Sequence, residues 1–262
     1  MIQTRPNALL IDITRCIGCG ECVSGCLTAH GMKTDPAKVT GLSSEALTAL
    51  AERDGLFVRQ LCRHCVDPSC VSVCPVEAFK KTELGPVVYE PSRCMGCRYC
   101  MQACPFNVPK YEWFSANPRV IKCDMCASRQ AEGKPTACTE ACPAEATVFG
   151  TRDELLAEAH RRIADNPGTY HPQVYGETEV GGTSVLFLSP VPFEQLGFRT
   201  DLPANALPEL TEAALSKIPG IVTVGGAFLF GLYWLTHRKD EVARFEAAQQ
   251  TATREETRDE KH

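Results

Sequence analysis

The sequence has no excess of positive charge. It contains 27 Lys and Arg residues against 32 Asp and Glu residues, which gives a formal net charge of −5 at pH 7. No basic stretch interleaved with aromatic residues occurs in the chain. Because proteins that bind nucleic acids present a basic patch or stripe, this composition argues against a nucleic-acid partner.

Several motifs of catalysis and targeting are also missing. The chain has no Walker loop, no glycine-rich dinucleotide fingerprint and no recognisable hydrolytic triad. Residues 1–10 contain neither a twin arginine nor a long apolar segment with a small-residue cleavage site, so no export signal is predicted. These absences leave cysteine as the residue type that carries most information about function.

Cysteine is abundant, with 16 residues in a chain of 262. A disulfide scaffold would suit a small secreted domain, whereas a chain of this length buries a core without such links. The cysteines form four groups of four. In chain order the groups are Cys16, Cys19, Cys22 and Cys26; Cys62, Cys65, Cys70 and Cys74; Cys94, Cys97, Cys100 and Cys104; and Cys123, Cys126, Cys138 and Cys142. The first and third share the spacing C-x2-C-x2-C-x3-C, which indicates an internal repeat with insertions in the second and fourth.

The spacing favours iron–sulfur clusters. Soft thiolates are the ligands of such clusters, and two-residue gaps let neighbouring cysteines of one loop face the same cluster. Zinc is the main alternative, because C-x2-C pairs also occur in zinc ribbons, but those need only two pairs. Sixteen ligands make four complete sets of four, so no iron keeps an open position for a substrate. His64, between two cysteines, is expected in a surface or supporting position rather than as a ligand.

Local patterns predict short elements around the cysteine groups. Two helices are expected, one at Ser44–Asp54 that ends at Gly55, and one at Asp153–Ala164 with Thr151 as its N-cap. Short β-branched and aromatic runs predict strands. The predicted strands are Leu9–Ile13, Val87–Tyr89, Thr147–Phe149 and Ser184–Leu188.

One apolar segment stands near the C-terminal end. Ile218–Thr236 contains no charged residue and would span about 28 Å as a helix, close to the thickness of a hydrocarbon core. We predict a single transmembrane helix, and the alternative is a buried helix of the globular domain. The tail that follows, His237–His262, is rich in charge and is expected to be a solvated helix or a disordered end.

Charges on the two sides of this segment predict its orientation. In the roughly twenty residues before it, Arg199 and Lys217 are the only Lys or Arg residues. Arg238, Lys239, Arg244 and Arg254 follow it. The positive-inside rule therefore predicts a single-pass protein of the cell membrane with a cytoplasmic tail and a cysteine-rich region on the periplasmic side.

Five sequence segments resemble a known family. They are LIDITRCIGCGEC, CRHCVDPSCVSVCP, CRYCMQACPFNVPKYEW, FGTRDELLAEA and YGETEVGGTSVLFLS. They are similar to the four-cluster ferredoxin-like electron-transfer (beta) subunits of membrane-bound respiratory formate dehydrogenases and nickel–iron uptake hydrogenases. The resemblance extends from about Ala8 to the apolar segment.

This resemblance implies a fold and a function. The expected fold is α+β, with two interleaved ferredoxin-like 2x[4Fe-4S] modules in residues 1–150, an accessory segment in 151–216, a transmembrane helix in 217–237 and a charged tail in 238–262. The expected cofactors are four [4Fe-4S] clusters. The chain itself would be non-catalytic. It would carry electrons between a catalytic subunit, which holds molybdenum, tungsten or nickel–iron, and an integral membrane subunit that reacts with quinone.

The family also implies how the groups share ligands, which the spacing alone does not show. Its first group pairs with the fourth, and its second with the third. The implied ligand sets are Cys16, Cys19, Cys22 and Cys142 (set 1); Cys62, Cys65, Cys70 and Cys104 (set 2); Cys94, Cys97, Cys100 and Cys74 (set 3); and Cys123, Cys126, Cys138 and Cys26 (set 4).

The catalytic partner stays open at the level of sequence. The eleven-residue gap in the fourth group and the absence of an export signal favour the formate dehydrogenase type, whereas Val174–Phe198 resembles the hydrogenase type. A polysulfide- or dimethyl sulfoxide reductase-type partner resembles the chain less. A soluble polyferredoxin and a zinc-binding scaffold are the alternatives from other classes.

Overall fold

The computed structural model describes residues 6–259, with side chains as far as Gln250. Two compact units are present, one ending at Glu209 and the other beginning at Leu210. The strands are β1 (Asn7–Asp12), β2 (Ala49–Arg53), β3 (Leu56–Gln60), β4 (Phe79–Lys81), β5 (Val87–Tyr89), β6 (Lys110–Tyr111), β7 (Val120–Ile121), β8 (Thr147–Thr151) and β9 (Val185–Leu188). The helices are α1 (Glu21–Ala29), α2 (Ser69–Ser72), α3 (Tyr99–Ala103), α4 (Ala127–Ala131), α5 (Ala137–Glu140), α6 (Arg152–Asp165), α7 (Leu207–Leu215) and α8 (Ile218–Asp259).

The largest sheet of the first unit has the order β8-β1-β9. Strand β1 is antiparallel to β8 and parallel to β9. Its side chains alternate between two cores, as the period of two in a strand requires. Leu9 and Ile11 belong to the main core, whereas Ala8 and Leu10 pack with Leu155 of α6. Both faces of β1 are therefore covered, and the four strands predicted from the sequence are confirmed within one to two residues at their ends.

The strand pairs connect the cysteine groups in a nested order. Strand β1 precedes the first group and its partner β8 follows the fourth, so this pair encloses the outer two groups. The antiparallel pair of β4 and β5 lies between the second and third groups. The fold is thus α+β with ferredoxin-like dicluster modules, as the sequence predicted.

The predicted helix at Ser44–Asp54 is wrong. Strands β2 and β3 form an antiparallel hairpin there, in which Ala49 pairs with Gln60 and Arg53 with Leu56. The turn residues Asp54 and Gly55 have φ angles of 49° and 78°. An Asp-Gly pair with positive φ at both positions fits the tight turns of two-residue hairpins. The glycine that looked like a helix stop is therefore a hairpin turn.

Helix α6 begins where the sequence predicted. Thr151 is its N-cap residue, and the Glu154 carboxylate accepts a hydrogen bond from the Thr151 N–H at 3.4 Å. On the buried side, Arg162 donates to the carboxylate of Asp12 at 3.0 Å, and the Tyr170 hydroxyl donates to the same carboxylate at 2.9 Å. These bonds satisfy a fully buried charge at the end of β1.

Gly176 gives a stability prediction. Its φ of 100° disfavours a side chain, and an added Cβ would lie 2.6 Å from the Val185 carbonyl oxygen and 2.5 Å from the Thr183 hydroxyl. We expect Gly176→Ala to cost roughly 2–4 kcal/mol through backbone strain and overpacking. Gly41→Ala is the matched control, because its Cβ would meet only Gln60 at 3.9 Å. The thermal midpoint of the cluster-loaded protein should fall by several degrees for the first variant only, and equal midpoints would contradict the prediction.

The second unit contains the long helix α8, of 42 residues. It is, within residues 6–259, the one helix long and apolar enough to cross a membrane, judged by length and composition. None of the residues in its apolar window is buried. The alternative of a buried core helix is therefore wrong. The helix continues through the charged tail to Asp259. Residues 260–262 of the tail lie outside the described residues. The same holds for residues 1–5, which belong to the segment in which no export signal is predicted.

Candidate metal centres

Each cysteine group begins on a loop and continues into a short helix. Helix α1 carries Cys22 and Cys26, while α2, α3 and α5 carry Cys70, Cys100 and Cys138. The loops contain residues in the left-handed region. These include His64, Arg98, Met125 and Cys126, with φ angles between 48° and 60°. Such residues reverse the chain sharply, so the loop cysteines and the helix cysteines face the same space. All sixteen cysteines are free thiols.

Cysteines from the first and fourth groups line one small cavity. Cys16, Cys19 and Cys22 come from the first group, and Cys142 comes from the fourth. Arg59 of β3 also lines this cavity. Cys19 is exposed to solvent, so the cavity lies close to the surface. The chain thus brings the last cysteine of the fourth group to the first three cysteines of the first.

A second small cavity combines the second and third groups. Cys62, Cys65 and Cys70 line it together with Cys104. Burial raises the pKa of Cys70 to about 12, and neighbouring thiols such as Cys62 and Cys104 contribute to the shift. Each cavity therefore holds three cysteines of one group and the last cysteine of another.

The remaining cysteines lie close to members of distant groups. Burial raises the pKa of Cys100 to about 11, and the charges of Cys94, Cys97 and Cys74 raise it further. Cys74 of the second group also packs against the apolar cluster that contains Cys100 of the third. Burial likewise raises the pKa of Cys123, and the charge of Cys26, which belongs to the first group, raises it further.

Backbone amides donate hydrogen bonds to several sulfurs. The N–H of Ala78 donates to Cys74 at 3.2 Å, and that of Met125 donates to Cys123 at 3.3 Å. The Gly96 N–H donates to Cys94 at 3.4 Å. Amide donors aimed at sulfur stabilise the thiolate form, and such hydrogen bonds help to set the potentials of iron–sulfur clusters.

The chemistry of this donor set fits iron. Burial and mutual repulsion raise the pKa of Cys65 as well as that of Cys70, so these thiols resist ionisation without a nearby cation. A cluster supplies that positive charge through its iron atoms, and soft thiolates are the ligands it needs. The sites are small, sulfur-lined and supported by amide donors. The residues present therefore fit [4Fe-4S] clusters.

Part of the expectation for His64 is wrong. The residue is only 1% exposed, so it does not lie on the surface. Its Nδ1 accepts a hydrogen bond from the Val87 N–H at 2.9 Å. Burial lowers its pKa, and the charges of Lys122 and Lys81 lower it further. A neutral His64 therefore anchors β5 against the loop of the second group.

His30 and Asp124 form a connection that sequence reasoning missed. His30 Nε2 donates to the Asp124 carboxylate at 2.9 Å, and its Nδ1 donates to the Cys26 carbonyl at 2.9 Å. The same carboxylate accepts from the Cys126 N–H at 2.8 Å. Hydrogen bonds to Asp124 and Cys26 raise the pKa of His30 to about 11. A charged imidazole therefore ties the end of α1 to the loop of the fourth group.

Buried and half-buried basic residues were missed as well, because isolated basic residues form no sequence pattern. Lys122 donates to the carbonyl oxygen of Cys123 at 2.9 Å, and Lys81 donates to that of Cys65 at 2.8 Å. The guanidinium of Arg63 lies 4.1 Å from the ring centroid of Phe187. The only sequence signal was the position of Arg63 and Lys122 beside cysteines. These positive charges surround the second group.

The fold and the cysteine groups define an iron–sulfur protein with ferredoxin-like dicluster modules. Two models of the 4Fe-4S dicluster domain family match the chain, over residues 13–79 and 53–152. The hydrogenase-2 operon protein HybA of Escherichia coli O157:H7 is 37% identical, with 80% of this chain and 76% of HybA covered. The nitrate-inducible formate dehydrogenase iron-sulfur subunit of Escherichia coli K12 is 34% identical, with 69% and 67% covered. A protein of Nitratidesulfovibrio vulgaris is 41% identical, with 92% and 70% covered.

The chain therefore belongs to the family of 4Fe-4S iron–sulfur subunits that includes HybA and the formate dehydrogenase iron–sulfur subunits. It is an electron-transfer subunit of this kind. The family predicted from the sequence is confirmed.

Proposed function

We propose that the chain holds four [4Fe-4S] clusters and passes electrons along them for a membrane-bound oxidoreductase. Each cluster would take up and give back one electron. The proposed ligand sets are those implied by the family, sets 1 to 4 as defined above. The observation that carries this proposal is the composition of the two cavities, each of which combines three cysteines of one group with the last cysteine of another. The positions of Cys74 near Cys100 and of Cys26 near Cys123 support the other two sets.

Contacts between the sets support one order along the relay. Sets 1 and 4 are neighbours, since the charge of Cys138 raises the pKa of Cys22 after the larger effect of burial. Sets 4 and 2 are neighbours through Cys62 and Cys123. Sets 2 and 3 meet through Cys70 and Cys100. The proposed order is therefore set 1, set 4, set 2 and set 3.

The two ends of this order are open to the surface. Cys19 of set 1 and Cys97 of set 3 are the two exposed cysteines of the chain. Apolar side chains stand beside each of them, with Ile17 63% exposed near Cys19 and Met95 66% exposed near Cys97. Exposed apolar residues beside a terminal ligand set suit a docking partner. Electrons would enter at one end and leave at the other.

The partners follow from the relatives. HybA carries the name of a hydrogenase operon and the other relative that of a formate dehydrogenase, so the catalytic subunit would be a nickel–iron hydrogenase or a molybdenum or tungsten formate dehydrogenase. HybA matches more of this chain at higher identity than the formate dehydrogenase subunit does, which favours the hydrogenase type. The second partner would be an integral membrane subunit that exchanges electrons with quinone. Helix α8 would anchor the chain beside it as a single membrane span.

Metal content tests the cluster proposal directly. Anaerobically purified protein should contain about sixteen iron and about sixteen acid-labile sulfide per chain, because sixteen cysteines complete four clusters of four irons. Iron and sulfide assays on the intact complex, corrected for the clusters of the partner subunits, measure this. Stoichiometric zinc without sulfide would replace the proposal with the zinc-binding alternative.

A further inference from the structure

Arg59 occupies an unusual position for a charged residue. It lies on β3 in the hairpin with β2 and is only 3% exposed. The hairpin inserts between the first and second cysteine groups of the sequence. The guanidinium lines the cavity of set 1 beside Cys22. A full positive charge is therefore buried at a cluster site.

The same guanidinium also reaches set 4. Its positive charge acts on Cys138 of that set, one of the cysteines of the main buried cluster. Burial raises the pKa of the Cys138 thiol, but the positive charge of Arg59 and a hydrogen bond with the Thr136 hydroxyl outweigh burial and hold this pKa below its ordinary value. Arg59 is thus a shared neighbour of two adjacent ligand sets.

Two hydroxyl groups fix the orientation of the side chain. Arg59 Nε donates to the Thr48 hydroxyl at 3.2 Å, and Nη1 donates to the Thr147 hydroxyl at 3.2 Å. Thr48 lies just before β2 and Thr147 begins β8, so both are held by regular structure. Both hydroxyls are buried. The planar guanidinium is therefore held by two neutral acceptors, one directly before β2 and one on β8.

No ion pair joins Arg59 to a carboxylate among residues 6–250, where side chains are described, and the charges that favour its charged form belong to cysteines. An isolated buried cation is costly unless a negative charge compensates it. The groups that can do so are the thiolates of the two sets, since the charges of Cys138 and Cys22 favour the charged form of Arg59 against the effect of burial. The arginine and the two sulfur-lined sites therefore compensate each other.

We propose that Arg59 is a positioning residue that fixes one positive charge between ligand sets 1 and 4 and raises the reduction potentials of both of their clusters. Reduction adds an electron to a site, so a fixed cation beside it stabilises the reduced form. The inference rests on the proposed ligand sets. Because one charge acts on both sets, the reduction potentials of their two clusters shift together, which keeps electron transfer between these two clusters close to balanced.

Charge removal tests the inference. Redox titration of the intact complex, followed by electron paramagnetic resonance, gives the midpoint potential of each cluster. In Arg59→Met, two of the four clusters should become harder to reduce, on the order of tenfold or more in their ratio of oxidised to reduced form at a given potential. Tenfold corresponds to about 59 mV for a one-electron couple. The other two potentials should stay unchanged.

Two further variants separate charge from structure. Arg59→Lys keeps the charge but loses the planar fork, so a smaller shift in the same two clusters is expected. The control is Arg53→Met, which removes an exposed arginine from the same hairpin and should leave all four reduction potentials unchanged. A fully loaded Arg59→Met protein with four unchanged potentials would overturn the inference. A wild-type protein without four clusters would instead overturn the proposed function.

A measurement on the unchanged residue covers the case in which Arg59→Met loses iron. Wild-type protein labelled with 15N-arginine should show a nitrogen coupling to a reduced cluster in pulsed electron paramagnetic resonance, because Arg59 lines the cavity of set 1 and its charge acts on Cys138 of set 4. The coupling should disappear in Arg59→Lys. Absence of the coupling in the wild type would contradict the placement of Arg59 beside set 4.

Discussion

Replacing Cys26 with serine should remove the cluster held by Cys123, Cys126 and Cys138 and leave the cluster of its own loop in place. Cys26 is 5% exposed near the end of α1, and its charge acts on Cys123 of the fourth group. His30 links it to that group, because the imidazole bonds both the Cys26 carbonyl and the Asp124 carboxylate. Iron content should therefore fall by about four atoms per chain, one cluster of four.

Double variants reveal which cysteines share a cluster. Adding Cys126→Ser to Cys26→Ser should cost no further iron, because both residues belong to the same proposed set. Adding Cys19→Ser should instead remove about four more iron atoms, because it disrupts a second set. If the groups do not interlock, these two results exchange places. The comparison needs no assignment of spectra, since it depends only on whether the losses add.

Local patterns were sufficient for much of the fold. The strands at Leu9–Ile13 and Val87–Tyr89 were predictable because apolar and β-branched residues cluster beside the cysteine loops. Helix α6 was predictable because Thr151 and Glu154 form a capping pattern before a helical repeat. In each case the information lies within a few residues of the element.

The hairpin of β2 and β3 was not predictable in the same way. Leu47 and Leu50 stand three residues apart, which suits a helix, and Gly55 suits both a helix stop and a hairpin turn. Pairing with Leu56–Gln60 decides between them, and that pairing is a tertiary contact. The consequence for the site was large, because this hairpin carries the buried Arg59 to the cavity that cysteines of the first and fourth groups line.

The grouping of the cysteines into ligand sets was predictable only in part. The sixteen cysteines were identifiable from spacing alone, but the partners of Cys26 and Cys142 were not. Pairing of β1 with β8 brings the first and fourth cysteine groups together, and this is a contact between residues more than a hundred positions apart. No local pattern encodes such a contact, which is why the ligand sets required the family resemblance.

We expect a protease added outside the cell to reach the chain before helix α8 and not the chain after its apolar part. A helix of 42 residues is about 63 Å long, roughly twice the thickness of a hydrocarbon core. Its apolar part ends at Thr236, and the rest is a polar helix that begins with Arg238 and Lys239. We propose that this polar part lies in the cytoplasm and that the cluster-binding unit lies on the periplasmic side, as the positive-inside rule favours.

The test uses a site for a sequence-specific protease. One variant carries the site between Ser216 and Lys217, before α8, and the control carries the same site after Arg244; both have a C-terminal epitope. In intact spheroplasts, added protease should cut only the first variant, because its site faces outward. After permeabilisation both should be cut, which shows that each site is accessible in itself. If only the control is cut before permeabilisation, the orientation is the reverse of the proposed one. If both variants are cut, α8 does not span the membrane. If both are protected, the cluster-binding unit lies inside the cell.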